Sequence, residues 1–381
     1  MTSFTVPKVA TAVVFDQHKG PLRVEREWPV VEPEVGEVLV KIAYSGVCHS
    51  DLHAWHGDWA DKPKLPLIGG HEGAGQVVAI GKGTKTKLKI GAAVGIKWLA
   101  TACLDSCEDC LSGNEGLCAE QKASGYDVDG TFQQYAISDA RYVTPIPEGL
   151  ALEIAAPRER FLRLFCSQPP EALTGSRTQS YAPASPPGEQ SERQTNTKPG
   201  NTVVISGASG GLGHLGTQYA LAIGLRVVAI DSGEEKRKML EGYGVKDFID
   251  FKDFADEQAL IEEVRKVSGG RGPHASVVFS AGAAAYNHAL KYLRPRGTLV
   301  CVGLPAGAEL KADVYTTVCT GLRIVGSNIG NRQDAIEALE FAARGEVMPQ
   351  ITVEPLENLE SVFDRMERGA IAGRIVLDCQ A

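Results

Sequence analysis

The chain has 381 residues, room for about two to three domains, with 39 Lys+Arg against 47 Asp+Glu and a formal net charge of −8. That acid excess argues against a nucleic-acid or anionic-membrane partner, whose phosphates need basic side chains. Hydrophobic residues at 43% and charged residues at 23% exclude wholesale disorder.

Apolar stretches such as Tyr219–Leu225 fall far short of the roughly 18 residues a membrane helix needs. Met1 to Ala10 lacks the basic end and apolar run of a secretory leader. A cytoplasmic address is therefore expected, with the nine cysteines read as thiols or metal ligands and not as a disulfide frame.

From about Thr11 to Pro157 short alternating runs such as Glu37–Ala43 and Gln76–Ile80 are separated by glycines, which predicts a β-rich unit. Within it, the run Cys48 to His56 carries three of the eight histidines, and Gly69-Gly70-His71-Glu72 follows. A catalytic zinc needs three protein ligands and one open position, and Cys48 and His71 are candidates for two of them. Asp51 is a candidate to hold the other ring nitrogen of His71. A buried thiol and a hydrogen-bonded core histidine would look the same in sequence.

Cys103, Cys107, Cys110 and Cys118 follow with the spacing C-x3-C-x2-C-x7-C. Four thiolates on one loop suit a tetrahedral structural zinc with no open position. A four-cysteine iron–sulfur cluster is the competing metal reading. Beyond them, Ser167 to Thr195 has no Val, Ile, Phe, Trp or Met, one Leu and five prolines. Such a segment cannot cover a core and reads as a disordered insert.

From about Asn201 to Gly326 strand patterns (Thr202–Ser206, Leu225–Ile230, Asp247–Asp250, Ala275–Phe279, Thr298–Val302) alternate with helical ones (Leu215–Ala222, Glu235–Tyr243). That alternation predicts an α/β fold with a doubly wound parallel sheet. The first strand runs into Gly207-Ala-Ser-Gly210-Gly211-Leu-Gly213 and then a helix. Such a turn lets the backbone approach a pyrophosphate at a helix N-terminus. Asp231 closes the next strand, where a carboxylate accepts from a ribose diol and repels a 2′-phosphate, favouring NAD over NADP. Gly207 to Gly211 also matches the G-x-S-x-G elbow of hydrolases, a reading that would leave Gly213 and Asp231 unexplained. Asp334–Arg344 and Leu359–Arg368 then read as helices, and Arg374–Leu377 as a last strand.

Taken together, these residues resemble the zinc-dependent medium-chain alcohol dehydrogenases of the fungal, yeast type. The matching runs include Cys48–Trp59, Leu65–Gly75, Gly95–Trp98, the four-cysteine lobe, Gly125–Ala136, Ser206–Gly213, Val302–Ala308 and Gly373–Asp378. The resemblance implies a GroES-like β-rich catalytic domain over 1–157 and a Rossmann NAD-binding domain over 199–330. It also implies a return to the catalytic domain over 331–381, with the atypical polar segment 158–198 standing where the family has an interdomain helix. The implied activity interconverts short, ethanol-like primary alcohols and aldehydes by hydride transfer with NAD. One structural and one catalytic zinc are implied, as is a homotetramer.

Residue by residue, the resemblance makes Cys48 and His71 ligands of the catalytic zinc, with Glu72 beside them. Ser50 would take the substrate proton and His53 would pass it on. His49 and Arg374 would face the pyrophosphate, and Asp231 and Lys236 the adenosine ribose. Gly207, Gly210, Gly211, Gly213 and Val302 would border the cofactor, and Trp59, Trp98 and Leu304 the alcohol. The chain departs from the family where a third ligand cysteine is due. Arg158-Glu-Arg160 follows Pro157, and the next thiol, Cys166, is the candidate third metal ligand. A catalytically impaired zinc- and NAD-binding homologue is therefore the alternative. A second departure is the third residue between Cys103 and Cys107, which requires a bulge in the lobe or a different ligand choice.

Overall fold

The computed structural model describes residues 4–156, 194–280 and 282–381. Most of the polar segment, together with Cys166, lies outside the described residues. Its tail does not, and there Thr195 and Thr197 are buried with their hydroxyls 2.7 Å apart. Among the described residues no helix is long and apolar enough to cross a membrane.

The N-terminal part is built on a seven-stranded, largely antiparallel sheet. The strand Glu37–Gly46 lies near its middle, paired with Glu72–Ile80 on one side and with Tyr135–Asp139 and Arg374–Asp378 on the other. Its residues Val38, Val40 and Ile42 alternate into a core with Val13, Phe15, Leu67, Ile68 and Phe132. The last strand, Arg374–Asp378, comes from the far end of the chain and carries Ile375 and Leu377 into the same core.

The second part is a six-stranded parallel sheet. In spatial order its strands are Asp247–Asp250, Arg226–Asp231, Thr202–Ser206, Ala275–Val278, Thr298–Cys301 and Arg323–Gly326. Strand side chains alternate between faces, so Val203, Ile205, Val227 and Val277 pack with Leu215, Tyr219 and Leu240 on one side. Val204, Val228, Ile230 and Val278 pack with Leu260, Val264 and Leu290 on the other. Helices cover both faces, which is why the strand Thr202–Ser206 is buried at every position. The expected α/β architecture is present, and each predicted strand of this sheet is found within a residue or so of its expected ends.

The helix Arg332–Ala343 serves both parts. Ala338 and Phe341 pack under the parallel sheet, whereas Leu339 packs with Ala74, Ala156 and Val376 of the β-rich part.

Among the helices that were not anticipated, His49–His56 matters most for the site. Its start is fixed by Asp51, whose Oδ2 accepts the Cys48 amide at 2.8 Å, and its end by Gly57 in the left-handed region at φ 60°.

Candidate active site

Sheet register assembles the first cluster. Gly46 pairs with Glu72 and, on its other side, with Val376. Cys48 lies two residues past Gly46, His71 one residue before Glu72, and Arg374 two before Val376. Three adjacent strands thus deliver these four side chains to one place. Gly46 leaves the necessary room, since a Cβ there would sit 2.4 Å from Glu72 Oε2.

Ligand atoms of Cys48, His71 and Glu72 all lie within 4.8 Å of one another, and all three residues are buried. Asp51 anchors two of them. Its Oδ1 is 2.8 Å from His71 Nδ1, while its Oδ2 holds the Cys48 amide. His71 is thereby left with Nε2 free to face the thiol. Glu72 pairs with the Arg374 guanidinium, and both groups are buried. Ser50 Oγ lies 3.8 Å from Cys48 Sγ.

Burial alone would push the Cys48 thiol up, but the bonded His71 ring and the Arg374 charge outweigh it and bring it down to about 5. Burial would likewise push His71 down, but the Asp51 carboxylate and Cys48 raise it to about 10. Between those limits the pair is a thiolate and an imidazolium sharing one proton. Loading a divalent metal must displace that proton. Zinc binding at this site is therefore expected to release about one proton near neutral pH and about two below pH 5. Calorimetry in buffers of different ionisation enthalpy reads that number, and zero release at pH 7 would contradict the arrangement.

The four cysteines of the loop also converge, again with all sulfurs within 4.8 Å. The extra residue between Cys103 and Cys107 is absorbed by Leu104, a non-glycine residue in the left-handed region at φ 74°. The loop therefore bulges and still brings its four sulfurs together. The Ser106 hydroxyl and amide pull Cys103 down to about 6, and burial pushes Cys110 up to about 12. The Cys110 amide donates to Cys107 Sγ at 3.4 Å. Four converging sulfurs with amide donors fit a closed metal site.

The loop is held against the start of the helix Arg332–Ala343. Arg332 Nε donates to Glu115 Oε1 at 2.9 Å, and the amides of Asn328 and Asn331 donate to the Gly116 and Gly113 carbonyls.

A cleft of about 270 Å³ lies between the two parts. One wall is Cys48, His49, Ser50, His53 and Arg374. The other is Gly207, Gly210, Gly211, Gly213, Asp231, Lys236, Val302 and Leu304. This wall sits at the carboxyl ends of the parallel strands, where the strand order reverses. Gly207 turns there at φ 74°, and a Cβ on Gly213 would sit 1.9 Å from the Gly207 carbonyl oxygen. Asp231 Oδ2 accepts from the Ser209 amide and hydroxyl at 2.9 and 2.6 Å, and its Oδ1 lies 3.1 Å from Lys236 Nζ. With its hydroxyl committed to Asp231 and no exposed surface, Ser209 is not placed as a hydrolase nucleophile.

Trp59 and Trp98 do not line this cleft. They pack beside it with Tyr126, Trp98 edge-on to the His71 ring at 4.8 Å and Trp59 against the His53 ring at 5.0 Å. His53 Nδ1 is 3.0 Å from Asp58 Oδ1. Burial pushes the His49 imidazole below its usual range. Sequence reasoning missed Phe279, Ser280, Met366 and Ile371, which complete the cleft. These are common residue types at strand and helix ends, and no motif marks them.

Residues 34–148 match the family model for the alcohol dehydrogenase GroES-like domain, and 211–344 match that for zinc-binding dehydrogenases. The chain is 44% identical over 375 residues to an alcohol dehydrogenase of Schizosaccharomyces pombe, covering 98% of this chain and 99% of that one. It is 42% identical over 379 residues to alcohol dehydrogenase 1 of Neurospora crassa, covering 99% of each. Among solved structures, an alcohol dehydrogenase of Aeropyrum pernix superposes with a TM-score of 0.78 at 27% identity, over 97% of this chain and 99% of that one.

Proposed function

This chain belongs to the zinc-dependent medium-chain alcohol dehydrogenase family, and on that premise we propose that it oxidises short primary alcohols to aldehydes, and reverses the reaction, with NAD. The observation that carries this reading is the shared cleft, in which Cys48, Ser50 and His53 face Gly207, Asp231 and Val302. When bound, zinc supplies Lewis acidity at the substrate oxygen and NAD the hydride-accepting ring.

The chain's own residues do the rest. Cys48, His71 and Glu72 hold the catalytic metal, and Cys103, Cys107, Cys110 and Cys118 the structural one. Ser50 and His53 carry the substrate proton toward solvent, with Asp58 behind the His53 ring. His49 and Arg374 take the pyrophosphate. Asp231 and Lys236 take the adenosine ribose. Past Asp231 a second cavity of about 530 Å³, bordered by Ile230, Phe251 and Phe254, gives apolar room for an adenine ring. Leu304 borders the alcohol inside the cleft, and Trp59 and Trp98 back that end of it only through the His53 and His71 rings, which favours a short alcohol.

A homotetramer belongs to this reading. It is supported by the exposed Val314, Tyr315 and Val318 on the helix Val314–Thr320, next in sequence to the sheet's edge strand Arg323–Gly326. A cytoplasmic address is in keeping with cysteines arranged as metal-ligand clusters.

The impaired-homologue reading is the less favoured, because identity to the fungal enzymes runs over nearly the whole chain. Metal analysis of the full chain alongside an ethanol and NAD assay separates the two. Two zincs per chain with NAD reduction are expected. One zinc and no turnover would overturn the proposal.

A further inference from the structure

The helix Gly213–Ala222 carries two polar side chains one turn apart, His214 and Gln218, and both are buried. Burying an imidazole and an amide is costly unless their polar atoms find partners. Backbone outside the helix supplies those partners. His214 Nδ1 lies 2.9 Å from the Gly210 carbonyl oxygen. A carbonyl only accepts, so Nδ1 carries the proton and Nε2 keeps its lone pair. That lone pair accepts the Gln350 amide at 3.2 Å. Gln218 grips the same segment two residues earlier. Its Nε2 donates to the Met348 carbonyl and its Oε1 accepts the Met348 amide, each at 2.8 Å.

The two ends of the imidazole lead to the two sides of the cofactor cleft. Gly210 belongs to the glycine turn and lines the cleft. Gln350 leads into the strand Ile351–Pro355, which runs parallel to Arg374–Asp378 with Ile351 beside Arg374. The Gln350 carbonyl accepts the Arg374 amide at 2.9 Å, and a Cβ on Gly373 would sit 2.5 Å from that carbonyl oxygen. Arg374 then crosses back over the turn, where a Cβ on Gly211 would sit 2.7 Å from its Cδ. Glycine turn, imidazole, Gln350 and Arg374 thus form a closed circuit. His214 is the side chain that joins its two backbone segments.

We propose that His214 is a positioning residue for the cofactor, setting the glycine turn and Arg374 at the separation that lets both hold one pyrophosphate. With no exposed surface it touches no ligand itself and acts through Gly210 and Gln350. Gln218 is the other half of the clasp, since it fixes Met348 and so presents the Gln350 amide to the ring. Phenylalanine at position 214 would fill the volume and sever the link. Glutamine, with one donor and one acceptor end, preserves it. This deepens the dehydrogenase reading and rests on its placing of the pyrophosphate.

The test is equilibrium dialysis of the full chain against ADP-ribose, which carries the pyrophosphate, and against adenosine, which does not. His214→Phe is expected to bind ADP-ribose about tenfold more weakly, as for one lost hydrogen bond to a charged group. Its affinity for adenosine is expected to stay within about twofold of wild type. In steady-state kinetics the same variant is expected to raise KM for NAD about tenfold and to leave kcat at saturating NAD within about twofold. His214→Gln is expected to stay within about threefold of wild type for both ligands. Gln218→Leu loosens the clasp without touching the glycine turn and decides the matter if His214→Phe does not fold. About threefold weaker ADP-ribose binding with adenosine unchanged is expected of it. Unchanged ADP-ribose affinity in these variants overturns this inference and leaves the dehydrogenase reading standing. An equal loss for adenosine does the same, because it marks a role in the fold alone, and so does a His214→Gln variant as weak as His214→Phe. A wild-type chain that binds no ADP-ribose overturns both.

Discussion

Cys48→Ser is expected to lower kcat/KM for ethanol by at least about a thousandfold and to leave one zinc per chain. Removing a group that only supports a ligand costs about 10–100-fold in metal affinity or activity, so losing a ligand itself must exceed that range. Serine keeps the backbone amide that Asp51 accepts, so the helix His49–His56 retains its start. What disappears is the anionic sulfur. The thiol is ionised at neutral pH because His71 and Arg374 outweigh its burial, whereas a serine hydroxyl there stays protonated. The sign with pH follows. A thiol held below its unfolded value contributes stability above that value and loses it as pH falls through about 5. The metal-free serine variant should therefore lack the acid-side loss of stability that the metal-free wild type shows near pH 5. Metal analysis, steady-state kinetics and urea titrations across pH check the three statements. Retention of two zincs would remove Cys48 from the ligand set.

Asp231→Asn is expected to raise KM for NAD by about ten- to a hundredfold, to leave kcat at saturating NAD nearly unchanged, and to narrow the preference over NADP. The carboxylate accepts from the Ser209 amide and hydroxyl, the Ser232 amide and Lys236. An amide of the same shape turns one acceptor oxygen into a donor, so one of those donors meets another. Hydrogen bonds to a charged group contribute about 1.5–3 kcal/mol each, and about 1.4 kcal/mol is tenfold in affinity. The repulsion of a 2′-phosphate weakens with the charge. Kinetics with both dinucleotides decide the matter, and an unchanged KM for NAD would place the adenosine ribose elsewhere.

Much of the fold was legible because its signals are local. Five apolar runs bounded by glycine and alternating with helical patterns specify parallel strands. The turn Gly207 to Gly213 sits between a strand and a helix as its motif demands. The four-cysteine loop was legible for the same reason, since its cysteines lie close in sequence. Leu104 was not, because a hydrophobic residue gives no hint of a positive φ. The helix His49–His56 was hidden by its composition: it has no apolar stripe, and its residues are set by a cap and by the site. The Glu72–Arg374 pair joins residues about three hundred positions apart. It depends on the register that sets Gly46 opposite both Glu72 and Val376, and no local pattern encodes that register.

The helix Arg332–Ala343 has a mechanical consequence. Its first residue is tied to the cysteine loop, Leu339 is seated in the β-rich part, and Ala338 and Phe341 lie under the parallel sheet. Sliding or splaying the two halves would tear one of these attachments. The two halves are therefore braced through one helix, and any displacement of one against the other has to break a contact that this helix makes.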